Sequence, residues 1–289
     1  MKNNILRIII FALLLLFIAQ TYMLNMSSAN NTLIEINGKG CIVLCYHRVL
    51  PENRFTSFVY KLLKIFTNDN ELKLYSVTGS DFEKQLKCLE DHKVKILSLE
   101  ELEYHIYNKI DLPDKSAVIT FDDVDESVYK NAYPILKRYN VPFSLFVITG
   151  QVGNKDFKGL RLSTWDQIKD MYSSGLVSLG LHTHNYHYLD KENNPPFMDP
   201  KNSYKFYEDT TLAIKTMEEN MGITPRYFSY PYGFGIPETD EYLLKSNIRL
   251  LFSLKPGVVT KDDPVFFIKR ILVDDENWAS IQDWIENKE

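Results

Sequence analysis

Short apolar runs that look like buried strands alternate with helical segments along this chain, and this alternation most limits the folds open to it. Four runs are mostly apolar, as expected of strands covered on both faces: 41–46, 116–121, 143–148 and 176–181. Segments that are typical of helices, such as 124–138 and 164–173, lie between them. Repeated strand and helix units predict an α/β fold with a parallel sheet. We expect a single distorted or incompletely closed (β/α) barrel, with the functional face at the carboxyl ends of its strands.

The first segment of the chain has the features of a targeting signal. Lys2 and Arg7 precede the apolar run 8–19, and small residues follow it. This order is typical of a signal peptide, and the run is shorter than the roughly twenty residues that span a bilayer. We therefore predict a cleaved signal peptide over 1–29 and an exported, secreted or cell-surface domain over 30–289. An uncleaved signal anchor is the alternative.

The charge and the cysteine content argue against two other classes of protein. The net charge of −5 is mild and acidic, whereas a protein that binds duplex nucleic acid needs a basic face. No nucleic-acid partner is expected. Cys41 and Cys45 are four positions apart in a strand-like run, which is roughly 13 Å along an extended chain and too far for a disulfide.

Residues 54–66 carry apolar side chains, several of them phenylalanine, at helical spacing with basic residues between them. One interpretation is a helix that faces the core. The other is a segment that contacts a membrane surface through exposed aromatic and basic side chains. The pattern leaves both interpretations open.

Two polar clusters follow strand-like runs. Asp122 and Asp123 end the run 116–121, and three of the six histidines, His182, His184 and His187, follow the run 176–181. One carboxylate and two imidazoles would supply three protein ligands to a divalent metal and leave a position open for water or substrate. The other carboxylate could then act as a base. The spacing leaves open which aspartate has which role and which histidines bind, and an aspartate that merely caps the next helix is the alternative.

Three motifs resemble the leading motifs of the NodB-type polysaccharide deacetylases, over most of the chain past the predicted signal. They are Thr120-Phe121-Asp122-Asp123, His182-Thr183 with His187, and Arg226-Tyr227-Phe228-Ser229-Tyr230-Pro231-Tyr232-Gly233. The resemblance implies that Asp122 is the catalytic base and that Asp123, His182 and His187 bind one divalent metal. Mixed histidine and carboxylate ligands suit zinc, with cobalt or nickel as alternatives. His184 then lies outside the motif.

The third motif carries two further roles in that family. The resemblance implies that Arg226 orients the base and that the backbone amide of Tyr232 helps to hold the oxyanion. Pro231 and Gly233 suit such a turn, because one fixes φ and the other permits unusual φ values beside a backbone N–H. The aromatic side chains of Trp165 and Tyr230 are candidates for a groove that binds sugar rings.

The chain departs from the family in lacking any histidine after His187. Most members carry their acid histidine near the C-terminus. His47 instead resembles the early histidine of a circularly permuted subgroup, the poly-β-1,6-N-acetyl-D-glucosamine N-deacetylases, as does the stretch 269–274. It would protonate the departing amine, and an aspartate should orient it and keep it protonated. The candidates for that aspartate are Asp274, Asp275 and Asp166.

The resemblance implies metal-dependent N-deacetylation of an extracellular N-acetylglucosamine polysaccharide. The free amines would hold the polymer on an anionic cell surface during biofilm formation. The alternatives are deacetylation of another glycan, such as peptidoglycan, chitin or xylan, and a non-catalytic carbohydrate-binding module on the same fold.

Overall fold

The computed structural model describes residues 34–51 and 75–287, and from Glu35 onward the chain forms one compact unit. The predictions of a signal peptide over 1–29 and of a core or membrane-contacting segment over 54–66 lie outside the described residues. Within those ranges, no helix is long and apolar enough to cross a membrane.

The described part of the chain contains eleven strands. They are β1 (Gly40–Tyr46), β2 (Arg48–Leu50), β3 (Ser76–Thr78), β4 (Lys95–Ile96), β5 (Lys115–Asp123), β6 (Phe143–Val147), β7 (Val177–Leu181), β8 (Tyr227–Ser229), β9 (Leu250–Phe252), β10 (Val258–Val259) and β11 (Ile271–Leu272). Nine form one sheet with the order β10-β1-β5-β6-β7-β8-β9, in which β4 also pairs with β5 and β11 with β1. All of these pairings are parallel except that of β10 with β1. Strands β2 and β3 form a small second sheet.

Seven α-helices lie in the same ranges. They are α1 (Gly79–Asp91), α2 (Leu99–Tyr107), α3 (Tyr133–Tyr139), α4 (Trp165–Ser173), α5 (Ser203–Met221), α6 (Pro237–Lys245) and α7 (Asp275–Glu286). Local sequence explains their starts. Ser98 and Glu101 form a capping box at α2, and Thr164 and Gln167 form another at α4, which satisfies backbone N–H groups that the first turn leaves free.

The sheet curls, and a segment near the C-terminus bridges its two edges. Ile268 forms a parallel bridge with Phe252 of β9, and β11 then pairs with β1 at Leu44 and Cys45. The connection is short on both sides, so the barrel is incompletely closed. The predicted fold class is confirmed.

The helix expected over 124–138 differs from the structure. Asp123 and Val124 both have φ of 62°, a left-handed conformation that is costly for a β-branched residue. The chain therefore turns sharply after β5 before it forms a π-helical turn at Val128–Ala132 and then α3. This turn fixes the direction in which the second aspartate of the pair points.

Candidate active site

A pocket opens at the carboxyl ends of the central strands. His47 follows β1, Asp122 and Asp123 end β5, and His182 follows β7. Parallel strands end at the same edge of a sheet, so residues distant in sequence meet there. The pocket is lined by these four side chains together with residues from loops, among them His187, Tyr232, Phe157 and Lys158.

Asp123, His182 and His187 are arranged as a set of metal ligands. One potential ligand atom from each lies within 4.8 Å of the others. Asp123 Oδ1 is 3.5 Å from His182 Nε2 and 3.3 Å from His187 Nε2. That oxygen is buried and has no hydrogen-bond partner in the described part of the chain. A cation between the three atoms would satisfy it.

The protonation of the two histidines also suits a cation. His182 Nδ1 lies 2.7 Å from the carbonyl oxygen of Ser229, so Nδ1 carries the proton and Nε2 presents a lone pair to the site. Burial, with a smaller contribution from the nearby Lys158, lowers the pKa of His187 to about 4. Burial also lowers the pKa of His182, against the opposing effect of Asp122. Both imidazoles are therefore neutral near pH 7, as metal binding requires.

Asp122 is buried and held as an anion by Arg270. Arg270 Nη1 donates to Oδ1 at 2.7 Å and Nη2 donates to Oδ2 at 2.8 Å, a bidentate pairing. Ser229 Oγ donates to Oδ2 at 3.1 Å, and the Cys45 thiol lies 3.6 Å from the same oxygen. Burial alone would raise the pKa of Asp122, but the guanidinium outweighs it and holds that pKa well below its usual range. Asp122 is thus no helix cap but an ionised group at the pocket floor.

The role expected of Arg226 is wrong, because a different arginine orients Asp122. Arg226 directly precedes β8, so it lies at the amino end of that strand, away from the pocket. Its guanidinium pairs with Glu103 of α2, and its side chain is 50% exposed. The side chain of Arg270 is 0% exposed. The sequence feature that could have indicated this role is Arg270, which with Lys269 interrupts the apolar stretch 265–273, since a buried guanidinium requires an anion.

His47 lies in the pocket, and neither Asp274 nor Asp166 pairs with it in the described part of the chain. Its Nδ1 is buried without a hydrogen-bond partner among residues 34–51 and 75–287, and its ring packs edge-on against Tyr75 at 4.6 Å. Burial lowers the pKa of His47 to about 4, although Asp123 and Asp122 oppose that change. Burial thus favours the neutral imidazole near pH 7, and a protonated His47 stays a prediction.

The candidate partners of His47 have other positions. Asp274 caps α7, where its Oδ1 accepts hydrogen bonds from the N–H groups of Glu276 and Asn277 at 3.0 and 2.7 Å. Asp166 is exposed in the first turn of α4. The side chain of Asp275 is outside the described part of the structure.

Tyr232 lies in a tight turn beside the pocket. Its φ is 59° within the turn Pro231–Gly233, and its N–H has no hydrogen-bond partner in the described ranges. Gly233 has φ of 78°, and a Cβ there would lie 2.6 Å from the backbone nitrogen of Leu254. Only glycine allows this close approach.

The two expected sugar-binding aromatic residues do not line the pocket. Tyr230 is fully buried, and its hydroxyl donates to Asp240 of α6 at 2.6 Å. Tyr230 directly follows β8, and its side chain is part of the core. Trp165 begins α4, is half-buried and is absent from the pocket walls. His184 also points elsewhere, with Nδ1 3.0 Å from Thr149 Oγ1.

The sequence motifs did not predict the hairpin 157–160, which forms one wall of the pocket. Phe157 and Leu160 exchange backbone hydrogen bonds at 2.7 and 2.9 Å, and Lys158 and Gly159 form the turn between them. Lys158 Nζ donates to Tyr232 Oη at 3.0 Å. The Lys-Gly pair was the available signal, since a two-residue turn of this kind needs two positive φ values.

Comparison with known proteins identifies the family of this chain. Residues 109–250 match the family model described as polysaccharide deacetylase. The poly-β-1,6-N-acetyl-D-glucosamine N-deacetylase of Staphylococcus aureus strain N315 is 32% identical over 280 residues, which cover 96% of this chain and 94% of the relative. That of Staphylococcus epidermidis is 31% identical over 260 residues, which cover 89% and 88%.

A solved structure agrees in fold as well as in sequence. The structure of IcaB from Ammonifex degensii is 38% identical and superposes with a TM-score of 0.77, over 88% of this chain and 100% of that one. The motifs, the curled sheet and the relatives agree along nearly the whole described length. The chain belongs to the polysaccharide deacetylase family.

Proposed function

We propose that this protein is a metal-dependent N-deacetylase of extracellular poly-β-1,6-N-acetyl-D-glucosamine. The observation that carries the proposal is the orphaned Asp123 oxygen between two neutral histidines, beside a second carboxylate held ionised by Arg270. The similarity to the staphylococcal poly-β-1,6-N-acetyl-D-glucosamine N-deacetylases supports this substrate. The same chemistry on peptidoglycan, chitin or xylan is the alternative.

The residues present fit a divalent cation. Asp123, His182 and His187 would hold it, with zinc as the first choice and cobalt or nickel as alternatives. When bound, such an ion polarises the acetamide carbonyl and lowers the pKa of water in the site. Burial raises the pKa of Asp123, against the effects of His182 and His47, and a bound cation would keep this carboxylate ionised.

Asp122 takes a proton from the attacking water in this proposal. Its bonds to Arg270 and Ser229 fix its orientation. The same bonds make the carboxylate a weak base, and a lowered pKa for the attacking water offsets that weakness. The free N–H of Tyr232 donates to the oxygen on which negative charge develops.

His47 delivers a proton to the departing nitrogen. A neutral imidazole is a poor acid, so His47 has to gain its proton during the reaction. A ligand atom of His47 lies within 4.8 Å of one from Asp122, the group that removes a proton from water. The two residues can therefore exchange a proton through one intervening water. The net reaction adds water across the amide and yields acetate and a free amine.

The setting of the reaction follows from this chemistry. The predicted signal 1–29 would export the domain 30–289 to the compartment of the polymer. Each free amine adds positive charge near neutral pH, which would bind the polymer to an anionic cell surface during biofilm formation. Contact of 54–66 with the membrane would keep the enzyme near its substrate. The buried ion pair of Asp122 and the cluster of Asp123, His182 and His187 favour catalysis over a purely carbohydrate-binding role.

Acetate release from β-1,6-linked N-acetylglucosamine oligomers tests the function. We expect release by the zinc-loaded protein, loss with a chelator and recovery with added zinc or cobalt. Asp122→Asn should retain metal and release acetate at least about 100-fold more slowly. Chitin, peptidoglycan and acetylated xylan, assayed in parallel, test the alternatives. Equal release from wild type and Asp122→Asn, or faster release from one of the other glycans, would contradict the proposal.

A further inference from the structure

The hairpin 157–160 places a positively charged side chain, that of Lys158, at the mouth of the pocket. Lys158 is exposed and lines the pocket. Its Nζ is 3.0 Å from Tyr232 Oη and 3.5 Å from His187 Nδ1. It also lies over the rings of Phe157 and Tyr232, at 5.4 and 5.6 Å from their centroids. The ammonium group thus stands beside the space that a reacting sugar must enter.

The backbone around this lysine is firmly fixed. Lys158 has φ of 52° and Gly159 has φ of 80°, the combination of a tight two-residue hairpin turn. Leu162, two residues beyond Leu160, forms a β-bridge with Asp125, which ties the hairpin to the segment after β5. The position of the Lys158 Cα is therefore set by the fold, and only its side chain can move.

Among the described residues, Lys158 forms no ion pair, although its charge acts on Asp123 from farther away. No carboxylate in the described part of the chain lies within salt-bridge distance of Nζ. In contrast, Asp122 is compensated by Arg270, and Asp123 would be compensated by a bound cation. Two further pocket residues, Arg48 and Asp125, carry opposite charges. With a divalent ion bound, the pocket is net positive, and Lys158 is its most accessible cation.

We propose that Lys158 makes the pocket discriminate by charge between neutral N-acetylglucosamine and the protonated glucosamine that the reaction produces. The inference rests on the proposed function, because only N-deacetylation converts a neutral sugar into a cation. Repulsion between two ammonium groups in a partly desolvated pocket weakens binding of the product. The deacetylated residue therefore leaves and does not return, so accumulated product does not block the enzyme.

Binding of a fully deacetylated β-1,6-linked glucosamine tetramer tests this proposal. Calorimetry on zinc-loaded protein measures its affinity directly, and its inhibition constant against acetate release measures the same property during turnover. Lys158→Met removes the charge and keeps an unbranched side chain at the same backbone position. We expect this variant to bind the deacetylated tetramer about three- to tenfold more tightly than wild type.

Two matched variants separate the charge from other effects. Lys158→Arg retains the charge and should bind the deacetylated tetramer as wild type does. Lys155→Met removes a lysine from the same loop that is exposed but does not line the pocket, so it controls for net charge and should also match wild type. Unchanged or weaker product binding by Lys158→Met would overturn the proposal, as would equal tightening in Lys155→Met. In each of these cases acetate release persists, whereas failure of the proposed function would abolish it in wild type.

Discussion

A single buried ion pair determines the chemistry that Asp122 can perform. Arg270 makes two charge-assisted hydrogen bonds to this carboxylate and a third, from Nε, to the carbonyl oxygen of Ser253 at 2.8 Å. The guanidinium is therefore held through Nε as well as through its two terminal nitrogens, and it fixes the Asp122 carboxylate in turn. Removing one member of such a pair leaves an uncompensated buried charge, which typically costs about 3–5 kcal/mol.

Replacing Arg270 and Arg226 separately distinguishes the two arginines. Arg270→Lys should lower kcat at least about tenfold with metal content unchanged, because one ammonium cannot reproduce the bidentate contact. Arg270→Met should also lower the unfolding free energy by about 3 kcal/mol or more. Arg226→Met should change kcat less than about threefold, because Arg226 lies away from the pocket. Glu103 also keeps its contact with Arg249 in this variant. Steady-state kinetics, metal analysis and urea unfolding measure these effects.

One combination of results would contradict this assignment of the two arginines. A large loss of kcat in Arg226→Met, together with near-normal kinetics in Arg270→Lys, would return the orienting role to Arg226. The family motif names an arginine but does not say at which end of its strand the side chain lies. The sequence could therefore predict that an arginine orients Asp122, but only the three-dimensional arrangement identifies Arg270.

At the scale of elements, hydrogen bonds join the loop 182–187, which follows β7 and contains three histidines, to α5. Asp209 of α5 accepts the backbone N–H groups of His184 and Asn185, both at 2.7 Å. Thr183, between two of the histidines, has φ of 72°, so this loop has a conformation that isolated residues rarely adopt. The carboxylate holds the turn that separates the two ligand histidines.

Asp209→Asn tests whether this anchor matters for metal binding. An amide can accept at one oxygen only, so one of the two backbone bonds is lost and the loop is held less firmly. We expect zinc affinity to fall about tenfold, the lower end of the range for residues that support metal ligands. Competition with a chromophoric chelator measures it. The matched control is Glu208→Gln, an exposed change on the same helix, and affinities that agree within about twofold in all three proteins would contradict the prediction.

Strand ends were predictable from sequence, and loop geometry was not. The apolar runs before His47, Asp122 and His182 ended where expected, because buried parallel strands need continuous apolar sequence. The helix expected over 124–138 is present but begins at residue 126, because Asp123 and Val124 both have positive φ, which no residue preference at these positions indicates. The hairpin at Lys158 depends on pairing across a loop, and local periodicity carries no information about it.

At the scale of the whole molecule, the pocket is built from buried groups that resist protonation. Burial lowers the pKa of both His47 and His187 to about 4, from an ordinary value of 6.5. In the unfolded chain these histidines bind protons below pH 6.5, whereas in the folded protein they do so only near pH 4. Unfolding therefore takes up protons in this range, and stability falls as the pH falls.

The metal-free protein should lose stability steeply between pH 6.5 and 4. Each of these two histidines contributes up to about 3 kcal/mol, at 1.36 kcal/mol per pH unit, and the raised pKa of Asp123 offsets part of the loss. Urea unfolding with chelator present, at half-unit pH steps, measures the dependence. His47→Gln should reduce the slope by about half. An unfolding free energy that stays constant from pH 6.5 to 4.5 would show that these histidines are not buried as neutral groups.

The segment that bridges the two edges of the sheet also sets the order of events during biosynthesis. β1 is among the first elements of the described chain to be made, yet its partner β11 and the adjacent Arg270 are among the last. Contacts between distant parts of a chain form late, because closing a long loop is entropically unfavourable. A nascent chain therefore has Asp122, Asp123, His182 and His187 before it has the Arg270 guanidinium that holds Asp122. The pocket is complete only after the last part of the polypeptide, with Arg270 and β11, has been made.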